Sequence, residues 1–242
     1  MFFLTALEQR IIVVSITQLW PILYGVFFTY KLLKRSKNYT TISLSSFFIT
    51  QCIAFLVLIF SIFTVNTPFS FAFYIVGYFL YFFSFTFLIV FSWLVLNVDK
   101  KVRFKSIFFI IICYSITSGF LIWIGIFIDG LRYSYSTNWV PVFSLEFAIL
   151  SWIYIGLGYF LPEVIIINSL RITFKNTPIK NRIYLLIISL LLGISLAILP
   201  ILYNYLIDNT IYRTIHTFIA LPLSTISAYI IYRSLGKGFS KH

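Results

Sequence analysis

The sequence predicts an all-α, multi-pass membrane protein: one domain over residues 1–242, a bundle of seven transmembrane helices with the N-terminus outside and the C-terminus cytoplasmic. Three observations predict it. First, 61% of the 242 residues are hydrophobic, 21% are aromatic and only 10% are charged, whereas a soluble domain carries about 25% charged residues. That charge cannot cover a water-facing surface, so the solvent is lipid. Second, apolar runs long enough to cross about 30 Å of hydrocarbon recur near residues 11–30, 41–63, 71–96, 106–128, 141–170, 183–206 and 211–232. Third, the segments between them alternate between basic and nearly neutral, with fifteen of the eighteen Lys and Arg in one set.

The N-terminal "MFFLTALEQR" has no basic n-region and no small-residue cleavage site, so no removable signal peptide is expected. Span 1 holds Gln18 and Pro21 and leads into the basic "KLLKRSK" (31–37). The "NYT" at 38–40 matches a glycosylation acceptor but falls on the basic side, which argues against modification. Span 2 contains Cys52 and span 4 contains Cys113; both read as packing thiols, with neither a disulfide nor a metal site expected. Span 3 and its approach carry thirteen aromatics in twenty-six residues, all round the helix, which reads as lipid-facing filler. "DKKVRFK" (99–105) is basic, and "DGLRYSYSTNWVP" (129–141) offers Tyr133, Tyr135 and Trp139 as an interfacial aromatic belt. Span 5 runs into the basic "RITFKNTPIKNR" (171–182), span 6 into "IDNTIYR" (207–213), and span 7 into the tail "RSLGKGFSKH" (233–242).

Basic residues in short loops mark the cytoplasmic side, which sets the expected orientation and a cell-membrane location. The net charge of +12 then belongs to a cytoplasmic collar. It would contact anionic lipid headgroups and offer a docking surface for a cytosolic protein or a second copy; no nucleic acid is implied.

Ionisable residues inside spans are costly and mark function by default. Glu163 follows Pro162 in "GYFLPEVIIINS" (158–169), eight residues before Arg171. At roughly 1.5 Å per residue, that is about 12 Å from the nearest charge on that side. Helical spacing puts it on a face with Trp152, Gly156, Tyr159 and Ile167. Gly156 would admit a neighbouring helix, and Tyr159 would donate to the carboxyl. Pro162 removes a backbone donor, freeing a carbonyl one turn back and kinking the helix. Pro21, Pro200 and Pro222 are further kink candidates. Span 7 carries Arg213, His216, Thr217, Ser224 and Ser227 at spacings that share a face, and span 6 offers Gly193, Ala197, Pro200, Asn204 and Asp208. With Glu146 at the same level, and Gln18 not far below it, the reading is an outward-facing pocket between helices 5, 6 and 7.

Seven helices with an outside N-terminus resemble microbial rhodopsins, heptahelical receptors and prokaryotic seven-helix sensor modules in architecture. Every lysine lies in a loop, an end or the tail, so the Schiff base that holds retinal cannot form within helix 7. "NVDKK" (97–101) and "LPLSTISAY" (221–229) depart from the receptor motifs at the ends of helices 3 and 7. No zinc-hydrolase histidine set, HExxH, aspartate pair or Ser–His–Asp set is evident, so no enzyme and no cofactor is expected. Pro21 and Pro162 stand at equivalent depths in helices 1 and 5, which is similar to the three-plus-one-plus-three repeat of small sugar transporters. Between sensor and transporter the expectation favours a receptor-like sensor. Against it, no loop exceeds about fourteen residues and none would house an output domain, so a signal would have to pass to a separate protein. An accessory or assembly subunit is the third class.

Overall fold

Backbone polar groups in an apolar stretch must pair within their own segment, and the chain is accordingly all-α with one small hairpin. The computed structural model describes residues 6–97, 102–137, 139–178 and 180–234. The basic residues expected at 100–101 and in the tail 235–242 lie outside these. The helices are α1 (Ala6–Arg35), α2 (Tyr39–Phe63), α3 (Phe69–Leu96), α4 (Phe104–Phe127), α5 (Leu145–Thr173), α6 (Lys180–Tyr205) and α7 (Thr210–Ser234). Six of them, α2 to α7, are long and apolar enough to cross a membrane. The thirty-residue α1 packs between α2 and α7.

Local chemistry sets the ends. The Asn38 side chain caps α2 by accepting from the Thr41 amide at 2.9 Å, which gives the asparagine of "NYT" a structural role. Ser144 caps α5 by accepting from the Phe147 amide at 3.3 Å. The expected fifth span therefore began four residues too early. Residues 142–143 form β2, paired antiparallel with β1 (Leu131–Arg132) in a hairpin between α4 and α5.

Contacts fix the arrangement. Gly25 lies against Cys52 and Phe28 against Phe48, so α1 and α2 run antiparallel. Gln51 reaches Ser84 and Ser70 reaches Ser61 across α2 and α3. Trp20 bonds Thr225 and Phe28 stacks on Tyr232, which lays α7 parallel to α1. A Cβ on Gly25 would come within 2.6 Å of Cys52 Sγ, and one on Gly77 within 2.6 Å of Leu58 Cγ. These two glycines let α1, α2 and α3 approach closely.

Small hydroxyls lie inside the bundle beside buried aromatics, and further aromatics face outward. Phe109, Trp123, Phe127 and Phe218 are exposed, while Ser43, Ser70, Ser92, Ser118, Ser189 and Ser227 are buried. Lipid is as apolar as leucine, so helix association draws on packing and hydrogen bonds. Ser43 donates to the Phe87 carbonyl at 2.9 Å and Ser227 to the Ser189 carbonyl at 2.9 Å.

The aromatic run of α3 is not lipid-facing filler. Its most apolar window is 61% buried, against 22% for α4 and 18% for α7, so α3 is the central helix. Tyr74, Tyr78, Tyr81, Phe82, Phe85 and Phe91 are all buried. A helix that is apolar all round is one with neighbours all round, and α3 is flanked by α2, α4 and α5.

Candidate ligand-binding cavity

An elongated cavity of about 560 Å³ lies between α1, α2, α3, α6 and α7. On α7 its wall runs from Arg213 to Ile231, which at roughly 1.5 Å per residue is about 27 Å of helix. Its size falls within the range of about 300–1,000 Å³ common for small-molecule sites.

The two ends differ in chemistry. At the hairpin end stand Gln18, Tyr74, Tyr78, Tyr203, Asn204, Arg213 and His216. Arg213 is clamped: its guanidinium donates to the Tyr203 hydroxyl at 3.1 Å and the Ile207 carbonyl at 3.3 Å, and it lies 4.5 Å from the centre of the Tyr203 ring. Its Nε is buried without a partner, as are His216 Nε2 and Gln18 Oε1. The His216 ring packs on Tyr203 at 4.8 Å and Tyr212 at 6.1 Å. Asn204 donates to the Tyr78 hydroxyl. Farther along, the walls turn apolar, with Phe55, Phe85, Phe47, Phe48, Leu88 and Ile231. Phe28, stacked on Tyr232 at 5.3 Å and against Phe48 at 5.9 Å, lies beneath that end.

The hairpin forms a lid. Tyr133 is 3% exposed, so it is no belt residue. It stacks on Tyr74 at 4.6 Å, donates to the Ser61 carbonyl at 3.3 Å and lines the cavity with Pro141. Trp139 donates to Asn66 Oδ1 at 3.2 Å, tying the lid to the α2–α3 turn. Tyr135, 79% exposed, remains free to meet an interface.

The pocket expected between helices 5, 6 and 7 is thus relocated. Asn204, Arg213, His216, Thr217, Ser224, Ser227, Gly193, Pro200 and Gln18 all line it, but α5 contributes nothing. Glu146 is exposed in the first turn of α5, and Asp208 is exposed beyond α6. Arg213 therefore faces a hydroxyl and a carbonyl rather than an acid. Pro21 and Pro200 line the cavity from within unbroken helices, and Pro222 sits exposed in α7, which is also unbroken. Lacking N–H groups, Pro21 and Pro200 leave the carbonyls of Thr17 and Leu196 without their usual intrahelical donors, and both of those residues line the cavity.

Glu163 and Tyr159 form a second polar cluster, at the junction of α3, α4 and α5. Glu163 is fully buried, and its Oε1 accepts from Ser92 of α3 at 2.5 Å, while Oε2 has no partner. The expected donor, Tyr159, instead pairs with the Tyr154 hydroxyl at 3.1 Å, which in turn meets Ser118 at 2.7 Å. Residues 154–160 form a seven-residue π-helical stretch just before Pro162. Pro162 has no N–H to return to Gly158 four residues back, and Tyr114 of α4 donates to that carbonyl at 2.5 Å. So a freed carbonyl exists, but Tyr114 takes it. Gly156 admits no helix, since nothing lies within 4 Å of where its Cβ would be. Pro162 adjoins a π stretch while Pro21 sits in continuous α-helix, so the two prolines do not repeat one local structure.

Sequence reasoning did not find Tyr74, Tyr78, Tyr81 or Tyr203 as cavity residues, nor Ser92 and Tyr114 as partners of the α5 cluster. The hydroxyls within the aromatic run of α3 were the available signal. Among the described residues no three His, Cys, Asp or Glu side chains come together as a metal centre would need. Comparison of the chain with protein-family models, curated proteins and solved structures gives no match.

Proposed function

We propose that the chain is a seven-span membrane protein, α1 being the first span, that binds a small lipophilic ligand between α1, α2, α3, α6 and α7 and acts as a receptor-like sensor. The observation that carries this reading is the cavity itself: polar and lidded at one end, aromatic at the other. Small-molecule sites combine such apolar walls with a few placed polar groups. In this reading the lid end faces outside and the basic end faces the cytoplasm, following the charge asymmetry of the loops. Ligand occupancy would bias the packing of α7 against α1 and α6, and the basic collar would pass that bias to a separate cytosolic protein. No catalytic role is proposed. Transport is the competing class, and it requires the aromatic floor at Phe28, Phe48 and Tyr232 to open.

The test uses the full chain in lipid nanodiscs and native mass spectrometry of what it retains. A retained lipophile should be lost when the cavity is filled by Ala220→Trp, with membrane insertion and thermal stability unchanged. Retention of the same compound by the filled variant would remove the cavity from the function. Ligand-dependent capture of a cytosolic protein supports the sensor; ligand flux into proteoliposomes replaces it with the transporter.

A further inference from the structure

We infer that the ligand of this cavity is a single-chain amphipath with a monoanionic, carboxylate-like head, seated with its head at Arg213 and its apolar chain along α3 and α7 toward Ile231; the inference rests on the cavity being a binding site. The charge inventory leads there. Among the described residues Arg213 is the one arginine in the cavity wall, and no Lys, Asp or Glu joins it. An arginine side chain stays protonated and offers five N–H donors, of which two are engaged, with the Tyr203 hydroxyl and the Ile207 carbonyl. Both acceptors are neutral, so none of the described wall residues compensates the charge. Arg213 is partly buried, and a partly desolvated cation whose partners are neutral gains from an incoming anion.

The guanidinium is also oriented in advance. Two hydrogen bonds and the Tyr203 ring, 4.5 Å from the guanidinium carbon, hold it in place, and a planar fork of N–H groups matches a carboxylate. His216 stands beside it with Nε2 unpartnered, and the Tyr78–Asn204 pair lies on the same end of the cavity. A cationic ligand would be attracted by the ring faces of Tyr74, Tyr78 and Tyr81 but repelled by Arg213, so the same charge that selects an anion rejects an amine.

Shape supplies the second half. The cavity is long, extending about 27 Å along α7, and beyond the tyrosines its walls are Phe55, Phe85, Phe47, Phe48, Leu88 and Ile231. That sequence of polar head region, aromatic neck and apolar end is the profile of a lipophilic chain with one polar terminus. The aromatic packing beneath the apolar end, Phe28 on Tyr232 and Phe48, limits its length. Trp20 of α1, hydrogen-bonded at 2.8 Å to Thr225 of α7 and half exposed on the bundle's outside, stands at the side between those helices.

The experiment measures binding to the full chain in zwitterionic nanodiscs of three matched probes, a long-chain saturated carboxylate and the primary alcohol and primary amine of equal length, and of an anionic diacyl phospholipid. The carboxylate should bind about tenfold or more tightly than the alcohol, and the amine more weakly still. Arg213→Gln should erase the preference for carboxylate over alcohol, and Arg213→Lys should restore part of it. Equal binding of carboxylate and alcohol to the unmodified protein would overturn the anionic head while leaving the cavity intact. Binding of all three that survives Ala220→Trp would overturn the cavity itself. Preference for an anionic diacyl phospholipid over the single-chain acid would overturn the single chain. Should Arg213→Gln not insert, the same head-group preference read on Arg213→Lys, with the three probes, decides the outcome.

Discussion

Removing the Tyr114 hydroxyl tests whether the α5 irregularity is built as the structure describes. Tyr114 donates to the Gly158 carbonyl at 2.5 Å, and that carbonyl lacks its usual partner because Pro162 has no N–H. Tyr114→Phe keeps the ring and its stacking on Tyr159 at 4.9 Å and deletes only the donor. Interhelical hydrogen bonds in membranes average about 0.6 kcal/mol and reach about 1.7. Leaving a buried acceptor unpaired costs about 1–3 kcal/mol. A loss of about 1–2 kcal/mol is therefore expected. Pro162→Ala supplies the backbone N–H that an α-helical turn returns to the same carbonyl and should be near neutral by itself. In that background Tyr114→Phe should cost little, giving a coupling energy of about 1 kcal/mol in the double-mutant cycle. The assay is reversible unfolding of the four proteins in mixed micelles, followed by far-ultraviolet circular dichroism. Additive effects within about 0.3 kcal/mol would show that proline and tyrosine do not share one carbonyl.

Four further outcomes are expected. Glu163→Gln keeps the bond from Ser92 and should unfold within about 0.5 kcal/mol of the unmodified protein, whereas Glu163→Ala loses the α3–α5 link and should fall by about 1–2 kcal/mol; equal stability of the alanine variant would make the Ser92 contact energetically silent. If the ionised carboxyl biases a signalling or transport state, Glu163→Gln should also flatten the pH dependence of activity between about pH 5 and 8, because an ionised acid at this depth costs a few kcal/mol. A cysteine introduced at Tyr135 should react with an impermeant thiol reagent from outside and one at Lys37 should not, and labelling at Lys37 alone would reverse the proposed orientation. Gly77→Val places a Cβ within 2.6 Å of Leu58 Cγ in the α2–α3 seam, and melting points should register an overpacking loss of about 1–3 kcal/mol.

Length and apolar composition suffice for what is local to each helix. The membrane character, the all-α class and the placement of α2 to α7 follow from runs of residues that can satisfy their backbone only internally. Periodicity also worked within single helices: Arg213, His216, Thr217, Ser224 and Ser227 do share the face of α7 that lines the cavity. Along α5 the same reasoning failed for a physical reason. The π stretch at 154–160 widens the turn, so residues after it are rotated relative to residues before it. Gly156 and Glu163, separated by two α-helical turns in sequence, therefore do not share one packed face.

Tertiary structure alone decided which helices meet. Spacing relates residues on one helix and carries no information about residues across an interface. Ser92 as the partner of Glu163, Tyr114 as the donor to Gly158, and Tyr78 as the partner of Asn204 all lie across such boundaries. The same limit misplaced the pocket. Glu146 and Arg213 occupy equivalent levels in sequence, yet α3, with tyrosines on the cavity side, supplies a wall where α5 had been expected. That Arg213 is the one cation among the described residues of the cavity wall is thus a property of the packing: the chain contains acids, and the fold keeps every one of those described out of that wall.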